Sequence, residues 1–198
     1  MIAREGMVPL AMAVLAGVLV LHFIGLLQSL VFWMLALLVL LLFRDPEREI
    51  PSQPLAVVSP ADGKITSIST VPDPYLPRQS IRVAIQMPPY GVFTTRSPIE
   101  GKVLESPTIQ KASNIPHGVW LQSDEGDDVV MVMTRGPLKN EPRCYIRIGE
   151  RIGQGKRCGF VHLGGRVEVY LPENCRMVIA EGDTVHSGSD IIAKLVHA

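Results

Sequence analysis

The sequence predicts a mostly β, barrel-sandwich-like soluble domain preceded by an N-terminal transmembrane helical hairpin. Three observations predict it: a charge-free apolar run at one end, short Val/Ile-rich runs punctuated by Pro and Gly over the rest, and two internal echoes with turn-and-strand spacing.

Residues 7–43 contain no Asp, Glu, Lys or Arg, and His22, Gln28 and Ser29 are their strongly polar members. One span needs about 20 apolar residues. The run is too long for one ordinary span and fits two short ones turning near Gly25, with a single span plus an interfacial helix as the other arrangement. It is too long for a cleaved signal peptide, and no A-x-A-like site stands before the charged segment. His22 reads as an interfacial or helix-bonded residue. Arg4 precedes the run, and Arg44 and Arg48 follow it. By the positive-inside rule both ends face the cytoplasm, and the inner membrane is the expected location.

Arg44-Asp45-Pro46-Glu47-Arg48 is a charged, proline-broken exit. The organisation expected is an anchor over 1–43 and a β domain over 44–198. The whole chain has 19 Lys+Arg and 19 Asp+Glu. Setting aside Arg4 and Glu5 leaves 18 of each in the soluble part, the balance of an ordinary soluble domain. A nucleic-acid binder would show a basic excess, so nucleic acid is not an expected partner. Hydrophobic residues at 47% exclude global disorder. Cys144, Cys158 and Cys175 lack CxxC spacing and read as reduced thiols, with neither a disulfide framework nor a zinc site.

Strands are expected at 80–87, 129–133, 144–148 and 166–171. In the last, Val167, Val169 and Leu171 share one face, the period-2 pattern of a half-buried strand. The first echo pairs Ser59-Pro-Ala-Asp-Gly-Lys-Ile65 with Ser97-Pro-Ile-Glu-Gly-Lys-Val103, each an acidic-Gly turn entering a strand. The second pairs Gly149, Ile152 and Gly155 with Gly182, Val185 and Gly188. Such G-x-x-[VI]-x-x-G elements suit a compact sandwich with pseudo-symmetric halves. A lipoyl-type domain would carry its Lys at a hairpin tip, whereas Lys64 and Lys102 follow the turn.

Several strings, in order, resemble the phosphatidylserine decarboxylase family in its short membrane-anchored form. They are the exit ending in Arg48, Ser59-Pro-Ala-Asp-Gly63, the segment from Met87 to Gly101 holding Arg96-Ser-Pro, the segment Gly159-Phe-Val-His-Leu-Gly-Gly-Arg-Val-Glu-Val-Tyr-Leu-Pro172, and Gly182-Asp-Thr-Val-His-Ser-Gly188. The resemblance implies a proenzyme that cuts itself between Gly and Ser, leaving a pyruvoyl group that decarboxylates phosphatidylserine to phosphatidylethanolamine. It also implies an assisting Asp and His.

Carried over residue by residue, Asp62 matches the acid and Gly164 the cleavage-site Gly. The expected His falls at Phe93 and the expected Ser at Gly165. Glycine has no hydroxyl, so no ester and no pyruvoyl cofactor can form there. Loss of a general base alone costs about 10²–10⁴-fold; loss of the nucleophile removes the reaction. Gly188-Ser189 is the chain's only Gly-Ser pair, and cutting there would leave a piece too short to hold a cofactor. It reads as a hairpin turn. Cys158 and Cys175 read as packed thiols. His117, His186 and His197 lack metal spacing, and the acidic run 124–128 reads as a solvated loop, so no metal is expected. Arg96, His162 and Arg166 are candidates for a lipid-facing cleft. The expectation is a non-catalytic lipid-binding, regulatory or structural subunit. Its partners would be the bilayer, an aminophospholipid headgroup, and a membrane protein or a second copy of itself. The alternative is a decarboxylase acting by a non-standard route.

Overall fold

The computed structural model describes residues 2–105, 117–136 and 141–196. The chain divides into two compact units, Met1–Glu47 with Tyr90–Val92, and Arg48–Pro89 with Phe93–Ala198.

The first unit holds two apolar helices, α1 (Arg4–Phe23) and α2 (Leu26–Leu42). α1 is long and apolar enough to cross a membrane, with mean hydropathy 2.1, while α2 is apolar but shorter, at 17 residues. Gly25, at φ 134°, breaks the helical path in a region that favours glycine. The Ala3 N–H donates to the Phe43 carbonyl at 2.8 Å, and Ile2 bridges to Arg44, so both ends of the apolar run meet. The buried residues are small: Gly6, Ala13 and Gly17 on α1, Ser29, Ala36 and Val39 on α2. Small residues let helix backbones approach, and a Cβ at Gly6 would lie 2.5 Å from Phe43 Cβ. Large side chains such as Leu15, Leu27 and Met34 stay exposed.

The second unit is all strand and loop among the described residues. Its main sheet has eight strands in the order β13 (Thr184–Val185), β2 (Gly63–Pro72), β3 (Gln79–Gln86), β11 (Arg166–Pro172), β7 (Asp128–Met133), β6 (His117–Gln122), β5 (Gly101–Leu104), β9 (Arg151–Ile152). Two three-stranded sheets accompany it. One is β1 (Ala56–Val58), β14 (Ile191–Lys194) and β12 (Arg176–Met177); the other is β4 (Thr94–Arg96), β10 (Arg157–Phe160) and β8 (Arg143–Cys144). The mostly β expectation holds; among the described residues the strands pair antiparallel and no closed barrel forms.

The alternation read in 166–171 is present: Val167, Val169 and Leu171 are fully buried. The other face is covered as well, because Tyr170 packs with Tyr75, Val130 and Val132. The run 144–148 forms only the end of two-residue β8. The chain turns away there, with the Arg147 N–H on the Glu150 carboxylate at 3.0 Å and Gly149 at φ 84°.

Both echoes are structural. The Ser59 hydroxyl donates to the Ala61 carbonyl at 2.8 Å, and the Ser97 hydroxyl to the Ile99 carbonyl at 2.7 Å. Gly63 then opens β2 and Gly101 opens β5. A Cβ at either would meet a neighbouring strand's carbonyl, Gln86 O at 2.3 Å or Gln122 O at 2.2 Å. Val185 pairs with Gly63 as Ile152 pairs with Gly101. The Gly188 N–H bonds to Ser59 O at 2.8 Å as the Gly155 N–H bonds to Ser97 O at 2.9 Å. The two turn-and-strand elements thus close opposite ends of one sheet in the same way.

Candidate functional site

The turn holding Gly164 and Gly165 lies between β10 and β11. Leu163, at φ 53°, and Gly164, at φ 77°, bend the chain sharply. A side chain at Gly164 is excluded twice, by that φ and by the Pro88 carbonyl oxygen, which would lie 2.4 Å from its Cβ. The Gly165 carbonyl accepts from the Met87 N–H at 2.8 Å and from Gln86 Nε2 at 3.1 Å. On the far side, Thr134 clamps the next residue: its hydroxyl donates to the Arg166 carbonyl at 2.7 Å and accepts the Arg166 N–H at 3.1 Å. Gly136 completes the enclosure, since a Cβ there would sit 2.2 Å from Gly164 O.

This enclosure bears on the nucleophile position. A Cβ at Gly165 would lie 2.7 Å from Val161 Cγ1 and 2.9 Å from the Thr134 carbonyl oxygen. Gly165 therefore lacks a hydroxyl and also lacks the space to receive one without movement.

Phe93 is buried, 3% exposed, edge-on to Phe160 at 6.2 Å between ring centres. Phe160 in turn meets His162 edge-on at 5.0 Å. The Val161 N–H bonds to the Phe93 carbonyl at 2.9 Å. Phe93, Phe160, His162 and the glycine turn thus form one neighbourhood, with an apolar ring where a proton carrier was expected.

Asp62 is half-buried and its carboxylate is committed. One oxygen accepts the Ser187 N–H at 2.7 Å; the other accepts Arg48 Nη2 at 2.8 Å. Ser187, fully buried, donates its hydroxyl to Pro60 O at 3.0 Å. This carboxylate pins the exit segment and the 182–188 turn to the Ser59-Pro-Ala-Asp-Gly63 turn.

The lipid-facing trio is split. Arg96 is buried, 7% exposed, and its Nη1 donates to Gly155 O at 3.0 Å. Gly188 makes room for it, as a Cβ there would lie 2.7 Å from Arg96 Cδ. Arg166 has a side chain 40% exposed, with its guanidinium 2.9 Å from Glu168. His162 is half-buried beside Phe160.

The acidic run 124–128 is the β6–β7 turn, closed by the Ser123 N–H on Asp127 O at 2.9 Å, with Asp128 holding Trp120 Nε1 at 2.9 Å. Cys158 is fully buried, and burial pushes its thiol up to about 12. His186 pairs with Asp190 at 2.9 Å. His197 lies outside the described residues, as does the side chain of His117.

Sequence reasoning gave Thr134, Gly136 and Val161 no role, and Arg48 only that of a charge at the membrane exit. A glycine three residues past a buried strand end, as in Met133 to Gly136, was the available signal for Gly136.

The family model described as phosphatidylserine decarboxylase matches residues 35–193. The chain belongs to the phosphatidylserine decarboxylase family. Curated relatives named phosphatidylserine decarboxylase proenzyme include one from Nitrosomonas europaea, 37% identical over 98% of this chain and 94% of its own length. Another, from Burkholderia cenocepacia, is 36% identical over 98% of this chain and 96% of its own. Among solved structures, glucose permease IIA from Mycoplasma capricolum covers 70% of this chain and 94% of its own, at 17% identity and a TM-score of 0.49.

Proposed function

We propose that this chain is an uncut, non-catalytic member of the phosphatidylserine decarboxylase family that works at the inner membrane as a lipid-binding, regulatory or structural subunit. The observation that carries the reading is Gly165. Acyl transfer from the Gly164 carbonyl needs a hydroxyl on the next residue, and hydrogen occupies that place. Phe93, packed on Phe160, supports it, because an apolar ring neither accepts nor donates a proton. Asp62 supports it too, as both its oxygens already serve structural bonds.

In this reading α1 and α2 cross the bilayer as a hairpin. Their joined ends near Ile2 and Arg44, with Arg4, Arg44 and Arg48, put the β unit on the cytoplasmic side. Arg166, whose side chain is 40% exposed, offers a guanidinium to the phosphate of a phospholipid headgroup. A membrane protein or a second copy is the partner a subunit role calls for.

The relatives' shared name, decarboxylase proenzyme, favours a second reading: an active decarboxylase making phosphatidylethanolamine by a non-standard route. Intact mass of the detergent-extracted protein separates the two. One uncut chain of 21.7 kDa is expected; two pieces parting at Gly164, or a carbonyl trapped by hydroxylamine, would establish the second.

A further inference from the structure

From Val83 to Thr95 the chain carries no Asp, Glu, Lys or Arg. Its middle, Pro88-Pro89-Tyr90-Gly91-Val92, leaves the end of β3 and returns before β4. Tyr90 is 74% exposed, one of the most exposed large side chains outside the helices. A lone exposed aromatic is ordinary on a water-facing surface. This one differs in its company: Tyr90–Val92 group with the apolar-helix unit, apart from the sheet unit to which Pro89 and Phe93 belong.

We propose that residues 88–92 form a lipid-interface finger, with the Tyr90 ring at headgroup level. The inference rests on the membrane-anchored reading and extends it to a second contact. Tyrosine suits that depth because its ring is apolar and its hydroxyl stays wet. The two prolines suit it because they bring no N–H that would need a partner near hydrocarbon. Gly91, at φ 122°, supplies the turn at the tip.

The finger's base touches the site. The Met87 N–H holds the Gly165 carbonyl at 2.8 Å, and the Pro88 carbonyl fills the space beside Gly164.

Tryptophan fluorescence of the full chain tests this in phosphatidylethanolamine/phosphatidylglycerol vesicles with brominated acyl chains. The native tryptophans are Trp33 on α2 and Trp120 on β6. Trp120 is kept as constant background, and the emission of Trp33→Phe is subtracted from that of Trp33→Phe/Tyr90→Trp. The added indole is expected to emit to the blue, to be quenched by the bromolipid and to be shielded from aqueous iodide. Red emission quenched by iodide alone would overturn the finger. The parent chain reports separately on the anchor. If bromolipid quenches Trp33 but not the indole at 90, the finger alone fails; if neither is quenched, the anchored reading fails with it. Tyr90→Cys carrying an environment-sensitive dye repeats the measurement should the tryptophan variant not fold.

Discussion

At position 165 serine would differ from the glycine present by a few atoms, yet the surroundings leave no free place for them. Gly165→Ser would push a Cβ into Val161 Cγ1 and the Thr134 carbonyl. Overpacking of this kind costs about 1–3 kcal/mol, and in a chain of this size each kcal/mol lowers Tm by about 2–4 °C. The variant is expected to melt several degrees lower by calorimetry and still to run as one piece by mass. Efficient cutting by this single variant would show that Phe93 is no obstacle. Asp62 answers to a different test. Asp62→Ala strands the Ser187 N–H and the Arg48 guanidinium, so a loss of about 1–3 kcal/mol is expected in denaturant unfolding. Glu141→Ala removes an ion pair whose side chains are 56% and 64% exposed, and should change stability by less than about 0.5 kcal/mol.

The elements that matter most are the two turn-and-strand closures. Gly63 and Gly101 each face a strand carbonyl that belongs to a ladder, so neither neighbour can yield without breaking pairing. Gly63→Ala and Gly101→Ala are expected to cost alike, at or above the ~3 kcal/mol end of overpacking. Gly126→Ala meets open space at φ 93°, and should cost only the ~1–2 kcal/mol of the left-handed backbone. Thermal unfolding of the three variants checks the order. Each echo was legible because its own turn is local, a Ser hydroxyl on the carbonyl two residues on followed by a glycine opening a strand, whereas the pairing of Gly63 with Val185 and of Gly101 with Ile152 joins distant segments. The run 144–148 was misread because its composition is strand-like while its end is set by a turn around Gly149 and Glu150.

Over the whole molecule, the apolar helices and the β character were written in composition and periodicity. The division into three open sheets was not, since it depends on pairings between distant strands such as β3 with β11. The role of Asp62 was hidden for the same reason: its partners lie 14 and 125 residues away. Global stability should fall at alkaline pH. Burial, then the nearby charges of Glu168 and Asp73, pushes the Tyr75 phenol from 10.0 up to about 12. The folded chain keeps that proton while the unfolded chain releases it, so stability is full below pH 10 and is lost as pH rises toward 12. Tyr75→Phe is expected to flatten that decline in denaturant titrations across the same range. Under the proposed uncut reading, serine alone at 165 would meet an occupied place, with a phenylalanine ring at 93 and an acid already bonded at 62, so self-processing would demand several changes at once.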